Sequence, residues 1–145
     1  MDIRARILAF LRQHRLAVQA TSSPESAPQA AVVGFAVTDA FELVFDTLAT
    51  TRKATNLRRN HRMAFVIGGL DAGDECTVQY EGVADEPGGA ELERLKSIYY
   101  ISFPDGPNRA NWPGLIYVRV RPTWIRFSNY NDDPPEIVEL GAADL

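Results

Sequence analysis

Strand-like segments follow one another along this chain too closely for a parallel sheet. Apolar or alternating runs fall at residues 16–21, 29–37, 41–46, 63–67, 76–84, 115–120 and 123–127. Parallel neighbours need a crossover of roughly a dozen residues or more, usually a helix. Here only Thr38, Asp39 and Ala40 separate the second run from the third, which is hairpin spacing. The alternation is clear in two places. Phe41, Leu43 and Phe45 interleave with Glu42, Val44 and Asp46, and Val78, Tyr80 and Gly82 interleave with Thr77, Gln79 and Glu81. Six or seven short strands, with helices inserted rather than alternating regularly, predict an antiparallel barrel with peripheral helices.

Three segments have helical periodicity. Ile3, Ile7, Leu8, Phe10 and Leu11 mark an amphipathic helix that lies against the sheet. Residues 51–60 open on a capping threonine. Residues 90–101 carry a core stripe of Leu92, Leu95, Ile98 and Tyr99. Residues 103–114, rich in Pro and Gly, form a long loop, and the acidic tail of residues 131–145 is expected to be partly ordered at best. At 145 residues and 46% hydrophobic content, the chain makes one domain, residues 1–145. Asp2, Arg4 and Arg6 interrupt the start, and no apolar run is long enough to span a bilayer. The expectation is a cytoplasmic protein with no membrane partner. Cys76, His14 and His61 are too few for a disulfide framework or the usual zinc ligand sets, so no metal is expected. A net charge of −4 argues against a nucleic-acid partner.

Against that acidic background the stretch between Leu48 and Met63 has no carboxylate and holds Arg52, Lys53, Arg58, Arg59 and Arg62. Arg58, Arg59 and Arg62 suit an ordinary solvated helix face. Arg52 and Lys53 do not, because they fall in a first helical turn, where unpaired amides already carry partial positive charge. A bound anion resolves the conflict. Amide donors, a threonine hydroxyl, a guanidinium and an ammonium would converge on a phosphate monoester. No nucleophile–histidine or paired-carboxylate arrangement competes with this reading, and no catalytic acid or base is assigned.

The run PQAAVVGFAVTDAFELVFDTLATTRKATNLRRNHR, residues 28–62, resembles the FMN-binding half of the pyridoxamine 5'-phosphate oxidase-like family, and the likeness in strand order extends to about residue 130. The resemblance implies a mainly β fold, an antiparallel six- to seven-stranded split β-barrel with flanking helices. It implies an FMN-dependent oxidoreductase acting on a small-molecule substrate or electron donor. The alternatives it leaves are a deazaflavin-dependent reductase, or a non-enzymatic module that binds or senses flavin or haem. It also implies a homodimer with the flavin in the cleft between two barrels.

Position by position, Thr51, Arg52 and Lys53 would hold the FMN phosphate, and Asp46 and Thr47 would lie beside the ribityl chain or the ring. Val32, Val33 and Gly34 would line the ring, with Thr77 and Gln79 as polar contacts. Arg109, Asn111 and Trp112 are candidates for contacts across the dimer, and Trp124 and Arg126 for contacts to ring or substrate. Ala31 and Ala36 stand where true pyridoxamine-phosphate oxidases carry Arg and Lys, and residues 128–133 lack the expected Arg and His. A pyridoxine-phosphate substrate would therefore lack its cationic clamp.

Overall fold

A computed structural model describes residues 2–145. Along the chain run α1 (Ile3–Arg12), β1 (Leu16–Ser22), β2 (Pro28–Gly34), β3 (Ala36–Val37), β4 (Leu43–Leu48), α2 (Arg52–Arg59) and β5 (Arg62–Gly68). They are followed by β6 (Cys76–Asp85), α3 (Gly89–Ser102), a 3-10 turn (Gly106–Arg109), β7 (Leu115–Asn129) and β8 (Glu136–Leu140). The sheet runs β2-β1-β5-β6-β7-β4-β3, with β8 added beside β7, and every pairing is antiparallel. This is the expected mainly β split barrel with flanking helices. Among the described residues, no helix is long and apolar enough to cross a membrane.

Alternation decides what lies inside. Phe45, Phe65 and Tyr80 turn inward from β4, β5 and β6, and their rings meet edge to face at centroid distances of 6.3 and 5.7 Å. Ile7 and Leu11 of α1 close the same core. Val44, one residue before Phe45, points to the opposite face, where α3 covers it with Leu95 and Tyr99. Tyr80 also pins a strained turn: its hydroxyl lies 2.8 Å from the carbonyl oxygen of Phe41 and 2.9 Å from that of Val120. Phe41 is buried and adopts φ 61°, an unusual conformation for a bulky residue.

Three segments differ from the sequence reading. Residues 29–37 are not one strand: β2 stays beside β1 through Gly34, with the Phe35 amide still donating to the Arg15 carbonyl at 3.0 Å, and Ala36 and Val37 then pair with β4 instead. Residues 115–120 and 123–127 are not two strands. β7 is continuous through Arg121 and Pro122 because a bulge opposite Glu81 and Gly82 absorbs Thr123, whose hydroxyl donates to the Glu81 carbonyl at 3.2 Å. Gly82 permits the close approach, since a Cβ there would sit 2.7 Å from Val120 Cγ1.

Beyond the bulge β7 changes partner. Residues up to Val120 pair with β4, and those from Ile125 pair with β8. The acidic tail is therefore an ordered strand. Its Leu140 joins the core, and its Glu136 carboxylate pairs with Arg6 of α1 at 2.6 Å.

Candidate functional site

β4 ends at Leu48, and a short turn delivers Thr51 as the N-cap of α2. The Thr51 hydroxyl donates to the Leu48 carbonyl at 2.9 Å and accepts from the Ala54 amide at 3.3 Å. Thr47 Oγ1, buried at the end of β4, lies 3.1 Å from it. Thr51 thus spends its only proton on building the cap. The amides of Arg52 and Lys53, at the start of the helix, have no partner within it. No acidic residue stands in this turn. Arg58, further along, meets Glu86 at 3.0 Å, whereas among the described residues neither Arg52 nor Lys53 enters an ion pair.

Arg52 instead turns across to β2. Its guanidinium rests on the side-chain amide of Gln29, with Nε 3.2 Å away and Nη2 also in contact. A guanidinium only donates, so the Gln29 oxygen must face it. The far side of the Gln29 amide is 2.6 Å from the amide of Asn56, which in turn is 3.0 Å from Thr21 Oγ1. Asn56 and Thr21 are buried. One inward-facing position along β1 from Thr21, Gln19 is buried with its carbonyl oxygen unpartnered. Beside this polar chain the strand carries only small residues, and Ala30 and Ala31 are exposed.

Asp46 and Arg109 form a second group, under α3. Arg109 donates from Nε to Asp46 Oδ2 at 3.0 Å and from Nη1 to Asp105 at 2.8 Å, while the Tyr99 hydroxyl donates to Asp46 Oδ1 at 3.2 Å. Burial, reinforced by the Asp46 charge, pushes the Tyr99 phenol up to about 12. Burial alone would lower the Arg109 pKa, but pairing with Asp46 outweighs it and holds the guanidinium more firmly charged. The Tyr100 and Tyr117 hydroxyls bond at 2.7 Å, and burial followed by that bond raises Tyr117. The segment of residues 103–114 is therefore anchored to its own barrel through Arg109. Trp112 and Asn111 remain exposed on it.

Of the remaining predicted positions, Val32, Thr77, Gln79, Trp124 and Arg126 lie on the solvent side of the sheet. Ladder register aligns Val32, Val18, Val66, Gln79 and Arg126 in one row, with Thr77 and Trp124 on the same face in adjoining rows. Arg126 meets Glu139 of β8 at 3.3 Å. Val33 points inward and is buried, and Gly34 lies against Phe103, whose ring would be 2.8 Å from an added Cβ.

The fold thus gathers Thr47, Thr51, Arg52 and Lys53 where β4 meets α2, while Asp46 is engaged by Arg109 and Tyr99, and Val32, Thr77, Gln79, Trp124 and Arg126 lie on the outer face. Sequence reasoning missed Gln29, Asn56, Thr21 and Tyr99. The one available signal was Gln29 itself, a polar side chain opening a strand of small residues.

A family model described as pyridoxamine 5'-phosphate oxidase matches residues 3–129. No curated protein matches the chain. Among solved structures, the heme binding protein from Mycobacterium smegmatis superposes with a TM-score of 0.82 at 16% identity, covering 99% of this chain and 60% of its own. This chain therefore spans about 60% of the length of that relative. A conserved protein from Mycobacterium tuberculosis superposes at 0.71 with 27% identity, covering 88% and 84% of the two chains. HutZ, the heme storage protein from Vibrio cholerae, superposes at 0.73 with 13% identity, covering 84% and 91%. Fold, strand order and the family match over most of its length agree: this chain belongs to the pyridoxamine 5'-phosphate oxidase-like family.

Proposed function

We propose that this protein binds FMN, with the phosphate at the start of α2, and serves as a flavin-dependent oxidoreductase for a small molecule. The observation that carries the reading is the pair of cations in the first turn of α2 with no carboxylate to neutralise them. The donor set fits a phosphate monoester. The Arg52 and Lys53 amides, the Arg52 fork and the Lys53 ammonium are all donors, and the adjoining strand offers small residues that let a ligand approach the backbone.

Thr51 contributes by fixing the cap and so aiming those amides. Bound FMN would supply hydride or one-electron chemistry. The chain's part is to bind, orient and shield. Thr47, Val32, Gly34, Thr77 and Gln79 are the proposed contacts along the rest of the cofactor; the Val33 side chain is part of the core, which leaves its backbone for that role. Asp46 would act through a carboxylate held in place by Tyr99 and Arg109.

A second copy is the proposed partner. The outer face leaves Val32 62% exposed and Val66 40% exposed in one row, with Leu16 at 60% on the same strand face. Such an apolar stripe favours burial against its twin. Trp112, Asn111, Trp124 and Arg126 are the proposed contributors to ring, substrate or partner.

The test is FMN titration of the wild type and of the double variant Arg52→Ala, Lys53→Ala. The expected loss is at least ~10-fold in affinity, since each charge-assisted contact is worth about 1.5–3 kcal/mol. Unchanged affinity in the folded variant would place the phosphate elsewhere.

Haem is the second reading, favoured by the heme-binding relatives of the same fold. His14 and His61 each set Nδ1 2.8 Å from a backbone carbonyl, so Nε2 would be the nitrogen that could hold the haem iron; that of His14 lies 3.9 Å from Asp74, and that of His61 enters no ion pair among the described residues. Absorbance after reconstitution separates the cofactors, because flavin, deazaflavin and haem have distinct visible bands.

A further inference from the structure

We propose that Gln29 is a positioning residue that presets Arg52 for phosphate; this rests on the FMN reading above. Arg52 is an exposed residue on a short helix, yet its guanidinium is laid against one acceptor rather than left to explore solvent. The acceptor is itself held. Gln29 abuts the amide of Asn56 at 2.6 Å, and Asn56 is fixed in the interior by Thr21 at 3.0 Å. α2 carries both Arg52 and Asn56, while β1 and β2 carry Thr21 and Gln29, so the chain of contacts ties the helix start to the barrel wall.

Polarity fixes how this chain is wired. Arg52 can only donate, so Gln29 offers its oxygen there and its nitrogen to Asn56. The Asn56 side-chain amide meets Gln29 on one side and Thr21 Oγ1, at 3.0 Å, on the other. Gln29 takes Nε–H and one Nη2–H of the fork. Among the described residues the rest of the fork, Nη1 included, has no hydrogen-bond partner, which leaves it for a ligand.

A neutral acceptor is the chemically apt choice. A carboxylate in its place would hold the guanidinium at least as well but would cancel the charge that a phosphate needs, whereas an amide fixes the geometry and leaves the charge. The consequence is selectivity for the phosphorylated form of the ligand over the same ring system without phosphate.

The experiment measures dissociation constants of FMN and of riboflavin for the wild type, Gln29→Met, Arg52→Ala and the double variant. Methionine keeps length and packing but removes the acceptor. Gln29→Met is expected to weaken FMN about 3- to 10-fold, the cost of ordering one long side chain on binding. Riboflavin affinity should not change, and the substitution should have no further effect once Arg52 is gone.

Gln29→Met with wild-type FMN affinity would overturn the proposal. So would an equal loss for riboflavin, or the same loss in the Arg52→Ala background. If Arg52→Ala itself leaves FMN affinity unchanged, or the wild type prefers FMN no more than riboflavin, the phosphate site is what fails, and the positioning role falls with it.

Discussion

Tyr99 shows how one side chain links cover, charge and pH. It belongs to the α3 cluster that packs on Val44, stacks on Phe103 at 4.7 Å and donates to Asp46. In the folded protein its pKa is raised to about 12, by burial first and by the Asp46 charge second. The unfolded phenol ionises near ~10. Between these values the unfolded state releases the proton and the folded state keeps it. The stabilisation is therefore complete below about pH 10 and is lost as pH rises toward 12. Urea unfolding across this range should show stability declining for the wild type, and a shallower decline for Tyr99→Phe. Equal slopes would mean that Tyr99 titrates alike in both states. Arg52 and Gln29 make the complementary point about legibility. A cation at a helix start without a nearby acid could be seen in the sequence, because the physics is local. The acceptor under Arg52 could not, because only the packing of α2 over β1 and β2 brings Gln29 to it.

Among the elements, Gly82 is where two strands press closest. An added methyl would meet the Arg121 carbonyl and Val120, both on β7, so Gly82→Ala should cost about 1–3 kcal/mol. Denaturant titration should show a lower midpoint with an unchanged slope, and a neutral result would mean that the bulge can open at no cost. The same bulge explains a misreading. Arg121 and Pro122 look like a strand break, since proline removes a ladder donor, but the bulge at Thr123 accommodates it. The tail misled for a different reason. Its acids and prolines suggest disorder, yet Ile137, Val138 and Leu140 are enough to complete a ladder with β7, and Arg6 and Arg126 compensate Glu136 and Glu139. α1, α2, β1 and β6 were legible because their periodicity or capping extends over the whole element and needs no distant partner.

For the molecule as a whole, the row of exposed Val32 and Val66 with half-buried Val18 between them is the proposed seat of a second copy. Val66→Glu places a charge at its centre, on a residue that is 40% exposed and so not needed by the core. Analytical ultracentrifugation is expected to show the wild type as a dimer and the variant as a folded monomer. A wild-type monomer with bound cofactor would remove the dimer from the proposal. The two-partner arrangement of β7 also limits where this architecture tolerates changes in length. A residue inserted or deleted within it would slide β6 together with β4 or β8 by one step, turning alternate side chains from the interior to the water. Indels in natural variants should therefore avoid β7 and gather in the turn of residues 69–75. There Leu70, Asp71, Ala72 and Gly73 are exposed, and an extra residue would disturb no ladder.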